Sequence, residues 1–385
     1  MKKVLQKESK LSLRLLFLES TLTSSIIFMP VAYLLFSDIG LSQFKIGMLQ
    51  MSFAAAILIL QVPTGYLADR FSRKASNFLG DIFLVIGMLI YFFALNFTNA
   101  LIAEIVFAIG LSLTAGADSA LLKGHAENAK LNYKKINARL GQAQFIAGGF
   151  GAVVGGLIGA YNIRWPFLVQ AGLFLLAATC ALFVKNIGKK RKSAVHPIKD
   201  AASIIKFCVH GHPKLAWRIF LGASLFTSTW VIVWLLTPSF LKAGLPVSVH
   251  GILFGLISLA AVFGGQFYIK NPKLKMTTPF LFAFTAYLTL SLDISKFTIL
   301  IFLMTSFARG INASTVKPYI QEEAPEDIQA TVLSVFDMVF RIFTAVCGFL
   351  VNWAGNSGVQ YGMMAAAALT LSMYFIFNFN RKRYE

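Results

Sequence analysis

Several ionisable side chains stand inside long apolar runs, where a polar group far from either end needs a physical reason. At about 1.5 Å of rise per helical residue, Glu19 lies about 9 Å into the first run and Glu104 about 9 Å into the fourth. Arg309 and Arg341 lie about 18 Å into the tenth and eleventh runs, near the middle of a bilayer. A carboxyl withdrawn from water protonates more readily, and acids inside membranes commonly relay protons. Glu19 is therefore the first candidate for proton coupling and Glu104 the second. The plain alternative for each is a local hydrogen bond between helices. Two deep arginines in the second half favour a cavity that accepts negative charge, which suits carboxylate-bearing solutes better than cations. Asp337 precedes Arg341 by four residues and shares its helical face, so two readings of Arg341 stand: a structural ion pair, or a substrate-facing cation.

Aromatic and amide residues within the runs complete a binding set. Tyr33, Trp230, Trp234 and Asn312 are its members, with Trp230 and Trp234 four residues apart and so expected on one helical face. Such a face suits a flat or amphipathic ligand.

The elements that position these residues follow from composition. Of 385 residues, 57% are hydrophobic and only 13% charged, and the mean hydropathy is +0.70. A soluble protein of this length needs more charged surface, which places the chain in the membrane class. The 35 basic residues exceed the 16 acidic ones and gather in short loops, a pattern suited to an anionic lipid surface and requiring no nucleic acid. Cys180, Cys208 and Cys347 have neither metal-ligand spacing nor an even framework count, so no metal or cofactor is expected.

A hydrocarbon layer about 30 Å thick takes roughly 20 helical residues to cross. That ruler predicts an all-α polytopic membrane protein with twelve transmembrane helices at 13–36, 46–67, 75–95, 98–122, 134–159, 165–184, 214–240, 247–269, 276–293, 297–319, 329–353 and 359–379. The polar interruption 185–213 separates an N-terminal six-helix bundle, 1–184, from a C-terminal one, 214–385. Within it, Ile198 to Val209 reads either as an amphipathic surface piece or as a solvated linker. Basic clusters fall on one side of the spans and place both termini in the cytoplasm. No cleavable signal precedes the first run, and an inner (cytoplasmic) membrane location is expected. The ends of the fourth and tenth spans echo one another, ADSALLKGHAENAK against NASTVKPYIQEEAP, as expected of two pseudo-symmetric bundles. Gly151, Gly155 and Gly159 recur every four residues in the fifth span and allow close helix packing.

Between the second and third spans stands GYLADRFSRK, and with the six-plus-six plan it resembles the major facilitator superfamily. Gly65, Asp69, Arg70, Arg73 and Lys74 match the family's loop signature, with Ser72 where a glycine is usual. The resemblance implies a charge network in which Asp69, Arg73 and Asp118 hold the cytoplasmic side shut. The corresponding loop in the second half, GGQFYIKNPKLK, lacks the acid. The fifth span resembles the glycine-rich helix of family antiporters, with Gly156 in place of its proline and Ala160 in place of its last glycine. That likeness implies export.

Other classes are disfavoured by what the chain lacks. It has no GxxxxGK[ST] phosphate loop and no HExxH, and its histidines lie mostly in loops, so neither a nucleotide-driven engine nor an enzyme is expected. A channel needs a continuous pore with filter elements. The expectation is a proton-coupled secondary transporter, antiporter rather than symporter, that exports a small amphipathic or anionic organic compound by alternating access. Its alternative is a proton-coupled importer of an organic acid, a peptide-like compound or a metal-chelating metabolite such as a siderophore. Because both halves lie in one chain, a monomer contains the whole path.

Overall fold

The computed structural model describes residues 2–70, 72–115, 117–186, 211–271, 273–324 and 329–384. Among them there are helices and connecting turns and no strand. In chain order the helices are α1 (Lys2–Thr23), α2 (Met29–Asp38), α3 (Gln43–Arg70), α4 (Arg73–Phe92), α5 (Phe97–Thr114), α6 (Ala117–Asn128), α7 (Tyr133–Tyr161) and α8 (Trp165–Phe183). In the second half come α9 (Pro213–Trp230), α10 (Val233–Lys242), α11 (Val247–Lys270), α12 (Thr278–Leu292), α13 (Leu303–Gln321), α14 (Gln329–Gly355) and α15 (Val359–Tyr384). Ten described stretches are long and apolar enough to cross a membrane, and the shorter α12 with the broken pair α1–α2 brings the number to the twelve expected. The amphipathic piece 198–209 lies outside the described residues.

Four of the twelve apolar runs are not single α-helices, which corrects the regular spans expected at 13–36, 98–122, 214–240 and 297–319. The first breaks between α1 and α2, the fourth between α5 and α6, and the seventh between α9 and α10. The tenth opens as a 3₁₀ turn, Thr298–Phe302, before α13. The breaks therefore recur every third run, the period of a repeated three-helix unit. Pro30 does not kink a continuous span; it stands in the first turn of α2, where its missing N–H has no helical partner to lose. Pro238, inside α10, leaves the carbonyl of Trp234 without its usual donor, and the Gln43 side chain supplies one at 3.0 Å.

The chain divides into two compact units. The first comprises Met1–Gly40, Ala55–Pro197 and Val247–Gly255, and the second Leu41–Ala54, Ile198–Pro246 and Leu256–Glu385. In the first, α4 packs on α5 and α8, and α1 packs on α8 and α6. Leu13, Leu16, Leu121, Leu122 and Leu140 form a buried cluster there. In the second, α9 packs on α14 and α13, and α12 on α15, around Ile219, Phe280, Val316, Phe336 and Phe377.

The break in the first run is held from two sides. Ile26 takes a positive φ of 36°, a left-handed conformation rare for a β-branched residue. The exposed backbone finds a partner in α8, where the fully buried Gln170 accepts the Ile27 N–H at 2.8 Å. Helix α7 closes the other side through its glycines. A Cβ on Gly151 would lie 1.8 Å from the Ser25 carbonyl oxygen, and one on Gly155 would lie 1.8 Å from that of Ile27. A Cβ on Gly159 would lie 2.3 Å from Val31 Cγ1.

Candidate functional site

The signature loop is the turn between α3 and α4. Gly65, Asp69 and Arg70 lie on the last turns of α3, and the side chains of Asp69 and Arg70 are outside the described set. Ser72, the departure from the family pattern, is extended and caps α4, its Oγ accepting the Ala75 N–H at 3.2 Å. Arg73 and Lys74 then open α4. Asp118 stands in the first turn of α6, where the helix N-terminus favours an anion, and its Oδ1 accepts the Ser119 N–H at 2.5 Å.

In the first unit the deep acids are buried. Glu19, only 3% exposed, accepts a hydrogen bond from Asn77 Nδ2 on α4 at 2.7 Å, while its other oxygen has no partner. One turn along the same face of α4 lies Asp81, which is fully buried with neither carboxylate oxygen bonded. Glu19 and Asp81 act on one another electrostatically, and Asp118 acts on both. Glu104 is also buried, and the hydroxyl of Tyr91 is its hydrogen-bond partner. Asp81 is the residue that sequence reasoning passed over. Its signal was present as the one acid inside the apolar run 75–95.

In the second unit Arg309 reaches the end of α9. Its Nη2 donates to the Thr229 carbonyl at 2.7 Å, and the guanidinium lies 4.2 Å from the centre of the Trp230 ring. Neighbouring side chains satisfy other carbonyls of the same turn: Tyr287 donates to Ser228 and Asn312 Nδ2 to Leu225 at 2.8 Å. Arg309 Nε and Asn312 Oδ1 are buried without partners, and among the described residues no carboxylate pairs with Arg309.

Two expectations about neighbouring residues change in detail. Trp230 ends α9 and Trp234 lies in α10, so the break between them removes the shared helical face read from their spacing. Asp337 makes its ion pair with Lys317 of α13 at 4.0 Å, and Arg341 keeps only an electrostatic interaction with it, its Nε buried and unbonded. Tyr33 is half-buried on α2. Among the described residues no three His, Cys, Asp or Glu side chains are placed to hold a metal ion.

Interrupted apolar helices, with ten described stretches long and apolar enough to cross a membrane and buried charges on them, define a polytopic membrane protein of the discontinuous-helix kind. The sequence profile of the Major Facilitator Superfamily matches residues 15–348, and the chain belongs to that family.

Its relatives are transporters. It is 27% identical over 175 residues to the MFS-type transporter YfiS of Bacillus subtilis (strain 168), covering 43% of this chain and 41% of that one. It is 29% identical over 178 residues to the fosmidomycin resistance protein of Escherichia coli (strain K12), covering 45% and 41%. The matched part thus spans about two fifths of these relatives' lengths. Among solved structures, the nucleoside transporter NupG superposes with a TM-score of 0.75 at 13% identity, over 96% of this chain and 98% of that one. A bacterial homolog of the human lysosomal transporter Spinster, inward-facing and unoccupied, gives 0.75 at 16%, over 96% of each chain. At these identities the likeness is one of fold.

Proposed function

We propose that this transporter is a proton-coupled exporter of small anionic, amphipathic organic compounds, working by alternating access. The observation that carries the reading is Arg309, a cation deep in the second unit, stacked on Trp230 and without a carboxylate partner among the described residues. A buried cation in that state is costly, and an anionic ligand with an apolar body would supply the missing charge and cover the 38% exposed indole. Arg341, with a buried unbonded Nε, extends the same polarity, and the unbonded Asn312 Oδ1 would accept a hydrogen bond from a donor on the ligand. Glu19 serves as the proton-coupling acid. The GYLADRFSRK turn with Asp118 serves as the cytoplasmic gate.

Export is supported by the glycine-rich α7 and by the relative whose name records fosmidomycin resistance, fosmidomycin being an anionic phosphonate. In this reading both termini are cytoplasmic, the membrane is the inner one, residues 185–213 link the two bundles and a monomer carries the path.

The test is flux of radiolabelled fosmidomycin in proteoliposomes of defined orientation, under a proton gradient of either sign, with Glu19→Gln in parallel. Flux opposite to proton movement, lost in Glu19→Gln, supports the reading. Flux in the same direction as protons makes the protein an importer and overturns the assigned direction. Gradient-independent flux in both proteins removes proton coupling. No flux by any phosphonate or carboxylate probe removes the anionic substrate class.

A further inference from the structure

We propose that Glu19 and Asp81, the first bonded to Asn77 and the second one helical turn from it, form a single proton site in which one proton is shared between two carboxyl groups, and that Asp81 is the second coupling acid of the transport cycle. The inference rests on the proton-coupled reading above.

The geometry is an accounting of donors and acceptors. Four buried oxygens have no partner: Glu19 Oε2, Asn77 Oδ1, and Oδ1 and Oδ2 of Asp81. Asn77 and Asp81 are fully buried, and Glu19 is 3% exposed. Among the described residues the only hydrogen bond to either carboxyl is the one from Asn77 Nδ2 to Glu19 Oε1, at 2.7 Å. Asn77 and Asp81, four residues apart on α4, present the amide and the second carboxyl on one face beside Glu19 of α1. Buried acceptors without donors are rare, because each forfeits its interaction with water.

The neighbouring charges do not relieve the deficit. From α6, Asp118 acts on both carboxyls with the same sign. From α8, the Cys180 thiol interacts with both, and it brings no positive charge. Helix α5 carries Glu104, which Tyr91 engages and which acts on neither acid of the pair. Among the described residues no cation acts on either acid. Two ionised carboxylates in this setting repel one another in a poorly screened interior.

One added proton answers both problems. It bonds to an oxygen of one carboxyl, which removes a negative charge, and the O–H so formed donates to an oxygen that had no partner. Its departure to water restores two carboxylates and the repulsion between them. Occupancy by a proton therefore changes the hydrogen bonding that links Glu19 of α1 to α4, one turn before the break in the first run. A pair coupled in this way binds its first proton as a unit.

Infrared difference spectroscopy of the purified full-length protein in lipid reads the C=O stretch of protonated carboxyls directly and needs no substrate. The pH titration is run on the wild type, Glu19→Gln, Asp81→Asn and Asp81→Glu, with the amide band checking the fold of each. A wild-type band that loses about tenfold or more in proton affinity in both Glu19→Gln and Asp81→Asn, and is retained in Asp81→Glu, is the expected result. A band that Asp81→Asn leaves unchanged overturns the shared site. So does displacement of the band by sodium at constant pH, which would make the pair an alkali-cation site. The two readings fail separately. Proton-driven fosmidomycin flux that Asp81→Asn leaves intact removes the pair and keeps the coupled transporter, whereas a titrating pair without gradient-driven flux removes the coupled transporter and keeps the pair.

Discussion

The Arg309 guanidinium lies 4.2 Å from the centre of the Trp230 ring while its Nη2 donates to the carbonyl of the adjacent Thr229. One side chain thus caps the end of α9 and presents a cation on an aromatic face. Arg309→Lys keeps the charge but has neither the planar fork nor the stacking surface. We expect Arg309→Lys and Arg309→Ala both to lower anion flux by about tenfold or more, as for loss of a charged hydrogen bond worth roughly 1.5–3 kcal/mol. Comparison of initial rates at matched expression checks it; wild-type flux in Arg309→Lys would show that charge alone suffices.

Gly151 and Gly155 are equally tight points of the α7 crossing, and at Gly151 a Cβ would sit 1.8 Å from the Ser25 carbonyl oxygen. Backbone cannot yield as a flexible side chain does. Gly151→Ala should destabilise the protein by about 1–3 kcal/mol or more, while Gly141→Ala, where a Cβ meets nothing within 4 Å, should be close to neutral. Thermal unfolding in detergent separates the two.

Gln170 gives the broken first run its hydrogen bond across to α8. Gln170→Leu leaves the Ile27 N–H buried and unbonded, a loss of about 1–3 kcal/mol. Gln170→Glu keeps an acceptor and should recover part of it. Equal loss in the two variants would place the effect in side-chain volume rather than in the bond.

Arg218 and Lys214 hold the start of α9 to the end of α13. Arg218 is 4.1 Å from the Tyr319 ring centre, donates to the Tyr319 carbonyl and pairs with Glu322 at 3.4 Å and Glu323 at 3.3 Å, with 11% of its side chain exposed. Lys214 pairs with Glu323 at 3.1 Å, with 47% of its side chain exposed. Water and salt screen the exposed pair more strongly. Arg218→Ala should therefore lower the melting temperature more than Lys214→Ala, and raising the salt should diminish only the smaller effect.

What could be read in the chain divides along physical lines. Length of apolar run and clustering of loop charge are local quantities, so the all-α class, the count of twelve and the loop signature were legible without coordinates. The repeat echo at the ends of the fourth and tenth spans hinted at internal symmetry, and the breaks at the first, fourth, seventh and tenth runs show its period. The breaks themselves were hidden. Ser24 to Phe28 and Trp230 to Ile232 are as apolar as helix interiors, and what lets them leave the helix is side chains from elsewhere, Gln170 in one case and Arg309 with Tyr287 in the other.

The sequence by itself determined that deep charges exist and which sign each half carries, because hydropathy makes a buried ion conspicuous wherever it falls. Only the tertiary structure decided which charges meet. Asp337 goes to Lys317 rather than bonding Arg341, Glu104 to Tyr91, and Glu19 to the Asn77 that stands one turn from Asp81. Spacing along one helix fixes only its own face, and partners come from helices tens or hundreds of residues away, so pairing is a property of packing.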